Sequence, residues 1–522
     1  MTMSEASDLP YIIALARAGS SELAWDLFHA QRYDKRVDDP RCWSVLGRLL
    51  KDRASHVASG ESRELYKKAA VAYQRSSELE PGTYSLINAA SLRLLSGEPG
   101  EAAKLAVQVL GSLASNPEEA DTPYWRAATG AEALLLLDRH EEAKQALAGA
   151  VAVAPEAWED HASTLRQFTL ILNAQGRDAG WLDVCRPPAS LHFGGHMSFA
   201  AAGDQQEIKV QIAANLGQEK VGFGFGALAA GADIIVAEAL LDHGAELHAI
   251  LPGGPEAFAA VSVDPFGAEW RRRFDAVLAR ATEVRAVRPI GVAPDLETIA
   301  LADEVAMGAA VMNARRLESR PVQLLIVAED ASRRTRDAWA ESGWHQHILT
   351  APREEPRPGA DAPALRAGRR RLAVLAAAPD VSEASQGNGL PELAAAIAKL
   401  EAPAVGPYLS GTEATFAYDR PAEAAQAAAA LRQAVPGMRI GGHYGAAESY
   451  RDPFTGGERI GGEAAAAAAG ALASTLPGTV YVTEDFAAAL TASGSHAPRT
   501  EFIGELEAHD GGAPVGLFVL KS

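Results

Sequence analysis

The sequence predicts a multidomain protein in which all-α helical repeats are followed by an α/β domain with a parallel sheet and then by an α+β domain. Apolar residues and alanines recur at helical spacing up to residue 187, and after it short apolar runs that end in glycine alternate with helices. A stretch with four prolines and many charges then interrupts the pattern, and its basic end, residues 369–371, is interpreted as a solvated junction. We therefore predict domains at 1–187, 188–350 and 371–522, with a linker at 351–370.

The first 187 residues have the breaks expected of stacked helical hairpins. Helices are predicted to end before residues 80–82 and before residues 96–100, and a later helix closes at Pro155. Alanines at the positions where helices meet, with proline after the second helix, resemble tetratricopeptide repeats (TPR). An irregular helical bundle is the alternative. The resemblance implies a concave surface that binds a protein partner.

The composition excludes several classes of function. The 48 Lys and Arg residues are outnumbered by 67 Asp and Glu residues, and the net charge of -19 disfavours nucleic acids and anionic membranes as partners. Cys42 and Cys185 have no CxxC spacing, so neither a disulfide framework nor a structural zinc knuckle is expected. The sequence lacks an apolar run long enough for a membrane helix, and its N-terminal residues lack a secretory signal. We expect a cytoplasmic protein without a metal or another cofactor.

A glycine-rich stretch in the α/β domain is the strongest candidate for binding a ligand. Gly222, Gly224 and Gly226 are predicted to follow a strand and to precede a long helix that starts near Ala227. Glycines let a phosphate approach the backbone, and a helix start offers unpaired N–H groups, so we expect a nucleotide phosphate there. The stretch also fits a dinucleotide fingerprint that ends at Ala229, but no acid follows the next strand, and NAD is disfavoured.

Further motifs surround this stretch. A strand ends in Gly194-Gly195-His196-Met197, Ala230-Gly231-Ala232-Asp233 follows the glycines, and the next strand ends in Pro252-Gly253-Gly254. They resemble the SLOG superfamily, which includes the Lonely-guy phosphoribohydrolases and the Rossmann-like domains of DNA-processing protein A. The resemblance implies a nucleotide or nucleotide-derived ligand at the carboxyl ends of the strands. The phosphoribohydrolase loop is not reproduced, because Pro255-Glu256-Ala257 comes next, so hydrolysis of a nucleoside monophosphate is not implied.

Three polar residues beside the glycines leave alternatives open. His196 either hydrogen-bonds a phosphate or ribose or satisfies nearby backbone, Asp233 complements the helix dipole, and Glu238 either meets ligand hydroxyls or is solvated. The predicted binding residues are Gly194, Gly195, His196, Gly222, Gly224, Gly226, Ala227, Gly231, Asp233, Glu238, Pro252, Gly253 and Gly254. We predict no catalytic residue and no metal ligand.

A second resemblance extends over residues 40–200. It rests on the segments GRLLKDRA, YSLINAASLRLLSG and RPPASLHFGGHM. These segments are similar to the TRAFs-binding-type repeat region that bacterial signalling proteins share with apoptosis signal-regulating kinases. The similarity implies a regulatory region that contacts other proteins.

A third resemblance covers residues 371–522. The segments MRIGGHYG, ERIGGEAAAAAAGALAS and LPGTVYVTEDF resemble the class III adenylate/guanylate cyclase homology domain, which implies a ferredoxin-like α+β fold and a homodimer. The positions of its two metal-binding Asp residues fall on Ala378 and Thr412, that of the base-selecting Lys on Tyr408 and that of its acidic companion on Gly456. The Asn and Arg that act on the transition state fall among alanine and glycine at 465–470. We therefore expect a catalytically inactive domain.

Together these features predict a cytoplasmic signalling or regulatory protein. The SLOG-like domain is expected to sense a nucleotide-derived ligand, the repeats to bind a protein partner and the inactive cyclase-like domain to form a homodimer. One alternative is a nucleotide N-glycosidase of the central domain with Glu238 or Asp233 as the acid/base. Another is a scaffold whose glycine loop serves only for packing.

Overall fold

The computed structural model describes most of the chain in two compact units. The described residues are 9–17, 20–54, 57, 59–116, 122–197, 202–288, 293–328, 334–352, 369–380, 389–494, 498–506 and 514–521. Met1–Pro187 with Arg316–Glu318 form the first unit, and Pro188–Arg315 with Ser319–Ser522 form the second. Residues 353–368 of the predicted linker lie outside the described residues. In the described part of the chain, every helix is too short or too polar to cross a bilayer.

Helices that pack against their neighbours in sequence make up the described part of the first unit. They are α1 (Leu9–Arg17), α2 (Ser21–Ala30), α3 (Pro40–Ala54), α4 (Ser59–Leu79), α5 (Thr83–Leu95), α6 (Pro99–Ser115), α7 (Pro123–Leu136), α8 (His140–Val153) and α9 (Trp158–Ala174), with short 3-10 helices at Tyr33–Lys35 and Gly180–Cys185. The ends of α4 and α5 confirm the predicted breaks near residues 80–82 and 96–100.

Small residues let these helices approach closely. Ala69, Ala90 and Ala131 are fully buried at helix contacts. Gly47 of α3 faces Tyr73 of α4, and a Cβ atom at residue 47 would lie 2.7 Å from Cδ2 of the tyrosine ring. The ring would have to move for any larger residue, so glycine is required by the close approach of the two helices.

A half-buried carboxylate lies among the helices of the first unit and makes its stability depend on pH. Burial raises the pKa of Glu132 above the usual value, against hydrogen bonds donated by Ser91 and Gln167. The folded state therefore holds this proton more tightly than the unfolded chain, and the stabilisation is lost as the pH rises through the raised pKa. We expect Glu132→Gln to be more stable than the wild type at pH 7, with a difference that shrinks as the pH falls towards about 4.3.

Thermal unfolding of the full chain at a series of pH values, followed by circular dichroism, measures this difference. Glu141→Gln on α8, where the side chain is exposed, is the control and should follow the wild type at every pH. A constant difference between Glu132→Gln and the wild type across the pH range would contradict the raised pKa.

The second unit contains a six-stranded parallel sheet. Its strands are β1 (Ala189–Gly195), β2 (Val221–Gly226), β3 (Glu246–Leu251), β4 (Glu283–Ala286), β5 (Pro321–Val327) and β6 (His345–Thr350), in the order β4-β3-β2-β1-β5-β6. Between them in sequence lie α10 (Ala202–Glu219), α11 (Ala232–His243), α12 (Pro255–Ser262), α13 (Ala268–Arg280), α14 (Leu296–Arg316) and α15 (Arg334–Glu341). The parallel α/β sheet is confirmed, and β6 is a strand that the sequence analysis did not predict.

Helices cover both faces of this sheet. On one face, Leu191 of β1 shares a buried core with Ile212 of α10 and with α11. On the other face, the amide of Asn313 in α14 donates a hydrogen bond of 3.0 Å to the hydroxyl of Ser190. Neighbouring residues of β1 therefore serve opposite faces, as the pleat of a strand requires.

The other sheet of the second unit is mixed. Its strands are β7 (Arg369–Ala378), β8 (Val405–Ser410), β9 (Glu413–Tyr418), β10 (Arg439–Arg451), β11 (Glu458–Gly461), β12 (Val480–Thr483), β13 (Thr500–Leu506) and β14 (Val515–Leu520). They follow the order β13-β14-β12-β10-β7-β9-β8, and β11 pairs with β10. Between them in sequence lie α16 (Leu390–Ile397), α17 (Pro421–Ala434), α18 (Glu463–Ser474) and α19 (Glu484–Ala492). The mixture of strands and helices agrees with the predicted α+β class.

Both edge strands of the mixed sheet depart from regular pairing. In β8 the register shifts between Val405 and Tyr408, and Pro407 lies in this stretch. In β13 the register shifts between Phe502 and Gly504, where Gly504 has a φ of 147°. Proline has no backbone N–H, and a bulge leaves a residue unpaired, so both edges present an incomplete row of hydrogen-bonding groups.

Arg369 at the start of β7 is buried, so the prediction of a solvated junction at residues 369–371 was wrong. Its guanidinium donates a hydrogen bond of 3.0 Å to Asp295, and both side chains are only 3% exposed. Arg371 bonds to Glu297 at 2.9 Å and to Glu304 at 2.7 Å. Asp295 and Glu297 lie 74 residues before these arginines in sequence, where local patterns do not reveal a partner.

The helix α14 contacts elements of both sheets in the second unit. Besides its bond with Arg371, Glu304 accepts a hydrogen bond of 2.9 Å from the hydroxyl of Tyr444 in β10. Gly308, one turn further along, lies against the backbone of Ala488 in α19, and any Cβ atom at residue 308 would overlap the carbonyl oxygen of Ala488. α14 is thus fixed to the mixed sheet by charged hydrogen bonds and to α19 by direct backbone packing.

Candidate functional site

The carboxyl ends of the parallel strands meet at one edge of the six-stranded sheet, and the strand order reverses between β1 and β5. The chain moves outward from β1 through β2, β3 and β4 and then continues at β5 on the other side. In open parallel sheets, ligands bind in the crevice outside such a reversal. Residues 198–201 after β1 and 329–333 after β5 lie outside the described residues. Gly194 and Gly195, the last residues of β1, and His196 after it lie at this edge.

His196 is tied to the backbone of its neighbours. Its Nε2 lies 3.0 Å from the carbonyl oxygen of Ala351, which follows β6, and its backbone N–H donates to Ile326 of β5 at 3.1 Å. Its carbonyl accepts a hydrogen bond of 3.3 Å from the N–H of Ala232. The half-buried imidazole therefore has the backbone partner that one of the two sequence interpretations assigned to it.

Two of the predicted glycines do not lie at this edge. Gly222 and Gly224 lie inside β2, where a Cβ atom would overlap the side chain of Pro188 and that of Leu240, respectively. Their role is close packing, and the prediction that they follow the strand was wrong. Gly226, the last residue of β2, does reach the edge, and a Cβ there would lie 2.7 Å from the carbonyl oxygen of Phe193.

The helix after the glycines starts later than predicted, at Ala232 and not near Ala227. Ala227 belongs to the connecting loop, which ends at Gly231 with a φ of 113°. A carboxylate oxygen of the buried Asp233 accepts a hydrogen bond of 3.2 Å from the N–H of Ala229 in this loop. The negative charge of Asp233 thus complements the helix dipole and disfavours a phosphate at the same place.

Glu238 lies on α11, away from the strand ends, and faces α13. Its carboxylate forms two hydrogen bonds of 2.6 and 2.7 Å with Arg273, and Lys209 lies 3.4 Å away. Burial acts to raise the pKa of Glu238, but the hydrogen bonds and charges of Arg273 and Lys209 outweigh it, and the pKa lies below the usual value. Glu238 thus lies on the helix after the glycines, as predicted, but its carboxylate is engaged in an ion pair and is neither fully solvated nor directed at the strand ends.

A shallow groove between α11 and α13 surrounds this ion pair. Its volume is about 480 Å³, and it is lined by Glu238, Asp242, Glu269, Arg272, Arg273, Ala276, Val277 and Arg280. Acidic and basic side chains are mixed along it, and two of the arginines pair with acids in its wall. The groove contains none of the predicted glycines.

Pro252-Gly253-Gly254 form a buried turn at the carboxyl end of β3. Gly254 is the residue before α12, and its carbonyl accepts the hydrogen bond of the Phe258 N–H at 2.9 Å. The turn lies on the same sheet edge as Gly195, His196 and Gly226, because the three strands are parallel neighbours. The structure thus brings this part of the predicted set to one edge and separates Gly222, Gly224 and Glu238 from it.

The mixed sheet places the predicted cyclase positions at the end of β7 and in the turn between β8 and β9. Ala378 is the buried last residue of β7 and pairs with Arg439 of β10. Thr412 lies in the exposed two-residue turn after Gly411. Glu413 begins β9 next to this turn, and burial raises its pKa against the charge of Arg439. Neither Ala378 nor Thr412 carries a group that coordinates a divalent cation in cyclase chemistry.

The other predicted cyclase positions are occupied by structural residues. The hydroxyl of Tyr408 donates to the carbonyl of Ile460 at 3.1 Å, and the Arg459 guanidinium lies over its ring at 4.9 Å. Gly456 has a φ of 70° in the turn between β10 and β11, where glycine is favoured. Residues 465–470 lie on α18, whose buried side packs on β10 through Gly441.

Sequence reasoning missed one cluster of polar side chains in the second unit. Glu219 at the end of α10 lies beside His345 and His347 of β6. The signal was present as His-x-His in the segment HQHILT, since alternate residues of a strand share one face. Because β6 itself was not predicted, the two histidines were not placed together.

Comparisons with known proteins identify similar structures but no curated relative. A search among curated proteins finds no match. Similar solved structures include adenylate cyclases from Trypanosoma brucei (15% identity, 29% of this chain and 87% of that chain, TM-score 0.24) and the adenylyl cyclase CyaB from P. aeruginosa (12%, 30% and 97%, TM-score 0.26). The adenylate/guanylate cyclase/hydrolase from Silicibacter pomeroyi is similar at 21% identity, over 30% of this chain and 98% of that chain, with a TM-score of 0.24. Such values are too low to transfer an activity.

The first unit has a match of its own. Residues 5–93, which run from α1 into α5, match the family described as Tetratricopeptide Repeats-Sensor. Repeats of this kind stack into surfaces that bind peptides or neighbouring domains. The predicted TPR-like character is therefore confirmed for this part of the helical unit.

Proposed function

We propose that this chain is a regulatory protein that senses a nucleotide-derived ligand at the carboxyl edge of its parallel sheet. In this proposal the TPR-like repeats bind a protein partner, and the mixed sheet belongs to a cyclase-like domain that no longer catalyses and that pairs two copies of the chain. The reversal of strand order between β1 and β5, with Gly195 and His196 beside it, carries the ligand site. The SLOG-like and ferredoxin-like assignments are part of the same proposal.

The groups at this edge favour a small ligand held by backbone and by an imidazole. Gly195, Gly226 and Gly254 bring backbone to this edge, where the Cβ positions of Gly195 and Gly226 are already filled by Ala232 and by Phe193, respectively. His196 adds an imidazole whose Nε2 donates to the carbonyl of Ala351. Asp233 brings negative charge to the start of α11, so we expect hydroxyl or base groups of the ligand on that side and its phosphate nearer His196. The net charge of -19 disfavours a long polyanion in place of a single nucleotide.

The inactivity of the cyclase-like domain follows from its side chains. Two-metal chemistry needs carboxylates that hold both ions, and the predicted positions are Ala378 and Thr412. The hydroxyl of Tyr408 is already bonded to backbone, so it does not replace a lysine that reads a base edge. A domain that keeps its fold without these groups retains binding and pairing as its remaining roles.

The alternative of a nucleotide N-glycosidase is disfavoured by the state of its acid. A general acid must hold a proton near neutral pH, which requires a raised pKa. Glu238 has a lowered pKa and is bonded to Arg273, and Asp233 is buried with a backbone partner. The ion pair with Arg273 therefore disfavours Glu238 as the general acid of a hydrolysis.

Calorimetric titration of the full chain with mono-, di- and cyclic nucleotides tests the ligand site. Small molecules carried through purification, identified by native mass spectrometry, are added to the panel. We expect saturable binding of at least one compound and an affinity about 10- to 150-fold weaker for His196→Ala, since a lost hydrogen bond to a charged group is worth about 1.5–3 kcal/mol. The control is His243→Ala at the exposed end of α11, which should bind like the wild type.

Three results would decide against parts of this proposal. No heat with any compound at high protein concentration would contradict ligand sensing and favour the scaffold. Release of free base from nucleoside monophosphates, abolished by Glu238→Gln, would favour the glycosidase. Asp380 lies two residues after Ala378, the first predicted metal position. Formation of a cyclic nucleotide from ATP or GTP with Mn²⁺, abolished by Asp380→Asn, would show that the mixed sheet carries an active site.

A further inference from the structure

Two histidines and a buried carboxylate converge where β6 passes the end of α10. One oxygen of Glu219, Oε1, lies 2.9 Å from Nδ1 of His345 and 3.0 Å from Nε2 of His347. The side chain of Glu219 is only 4% exposed, that of His347 is 18% exposed and that of His345 is 57% exposed. The ligand atoms of all three residues lie within 4.8 Å of one another.

The fold explains why these residues meet. His345 and His347 are two apart on β6, so both side chains point to the same side of the strand. Glu219 is the last residue of α10, and Lys220 with a φ of 52° turns the chain from this helix into β2. Glu219 and His347 are 128 residues apart in sequence, and the parallel sheet brings them together.

This donor set suits a zinc-type ion. Zinc is bound by imidazole nitrogens at about 2.0–2.1 Å and by carboxylate oxygens at about 2.0–2.2 Å, so two ligand atoms in a tetrahedral site lie roughly 3.3 Å apart. The observed nitrogen–oxygen separations of 2.9 and 3.0 Å differ from this by a few tenths of an ångström. A small outward movement of the exposed His345 would admit the ion, and its solvent side leaves room for water as a fourth ligand.

The neighbouring groups leave these donor atoms available. Arg320, whose side chain is exposed, approaches the other oxygen of Glu219, Oε2, at 3.9 Å. Gln346, between the two histidines, points to the opposite side of β6 and bonds to Gln323 and to the carbonyl of Arg336. One carboxylate oxygen and two imidazoles therefore face each other, and Arg320 lies at the far side of the carboxylate.

We propose that Glu219, His345 and His347 bind one divalent transition-metal ion of the zinc type. The ion would join the edge strand β6 to the end of α10 and would keep one coordination position open to solvent. This site goes beyond the function proposed above and departs from the sequence-based expectation that the protein has no metal. It does not involve the carboxyl edge at β1 and β5.

The test uses the full chain, stripped with a chelator and dialysed. Titration with Zn²⁺ followed by calorimetry, and with Co²⁺ followed by visible absorption, should give one bound ion per chain. Loss of a residue that only hydrogen-bonds to a metal ligand typically weakens metal binding about 10–100-fold. His347 and Glu219 are proposed as ligands themselves, so we expect the metal affinity of His347→Ala and of Glu219→Gln to fall about 100-fold or more. His248→Ala removes a histidine of β3 that lies 3.0 Å from Glu283 and 3.6 Å from Glu246, outside the proposed site, and should leave the stoichiometry unchanged.

A second measurement keeps the proposal testable if the variants fold poorly. X-ray absorption at the zinc edge of the wild-type protein should show a first shell of nitrogen and oxygen with scattering from two imidazoles. Zinc bound without imidazole scattering would overturn the site, and so would wild-type binding no tighter than that of the His345→Ala/His347→Ala double variant. Circular dichroism of each variant reports whether a loss of binding comes from a loss of structure.

Discussion

Replacement of Gly308 by valine is expected to destabilise the second unit by about 3 kcal/mol or more. α14 and α19 touch through backbone at this residue, and any Cβ atom would overlap the carbonyl oxygen of Ala488. α14 cannot move away easily, since it is also bonded to β7 and β10 through Glu304. Denaturant unfolding of the full chain, followed by circular dichroism, measures the change in free energy.

A graded series separates this effect from the general cost of changing a helical glycine. The free energy of unfolding should fall less in Gly308→Ala than in Gly308→Val, because fewer atoms must be accommodated between the helices. Gly217→Ala in α10 is the matched control, since a Cβ there meets nothing within 4 Å. It should gain up to about 1 kcal/mol from helix propensity. If Gly308→Val unfolds at the same denaturant concentration as the control, the two helices do not touch as described.

Removal of the charge of Asp295 is expected to cost about 3–5 kcal/mol, the range for breaking a buried ion pair. Asp295→Asn keeps the hydrogen bond from the Thr298 N–H at the start of α14 but leaves Arg369 buried without its counter-charge. Arg288, 3.8 Å from the same carboxylate, loses a nearby opposite charge as well. Equilibrium unfolding of the variant against the wild type measures the loss.

A double-mutant cycle identifies the pair as the cause. Arg369→Met should also lower the free energy of unfolding. The Asp295→Asn/Arg369→Met double variant should lower it by less than the sum of the two single changes, because neither charge is then buried without its partner. Arg420→Met, which breaks an exposed pair with Glu423, should change the free energy by at most about 1 kcal/mol. Simple additivity of the Asp295 and Arg369 losses would mean that their side chains do not interact.

These two predictions concern one helix that contacts both sheets of the second unit. A ligand at the parallel sheet could alter the mixed sheet only if it binds two arrangements of α14 with different affinity. The variants at residues 295 and 308 provide a direct test, since they change the contacts of α14 without touching the predicted ligand residues. A nucleotide affinity that differs between these variants and the wild type would indicate such coupling.

The order of structural classes could be predicted from sequence because it depends on local periodicity. Proline and glycine mark the helix breaks at residues 80–82 and 96–100, and the strands β1, β2, β3 and β5 are short apolar runs. β6 was not predicted because HQHILT is an edge strand with few apolar residues. The burial of Arg369 was not predicted because its partner, Asp295, is distant in sequence.

The candidate site could be predicted less well, because the role of each residue there depends on side chains that are distant in sequence and close in space. A glycine that admits a ligand and a glycine that admits a side chain look the same in sequence, and only the contacts with Pro188 and Leu240 distinguish Gly222 and Gly224. Glu238 could not be recognised as the partner of Arg273 from a separation of 35 residues. Gly195 and His196 were placed correctly at the end of β1 because a glycine after an apolar run marks the end of a strand.

The mixed sheet has irregular borders, because its edge strands β8 and β13 are interrupted near Pro407 and Gly504. This irregularity affects how the protein behaves at high concentration. A straight border would act as a template on which successive molecules could add strand after strand, the route to fibrous aggregates. With each border interrupted, such growth has no regular ladder to extend. Two copies that meet at these borders would therefore have to contact each other through side chains and not through a continued strand ladder.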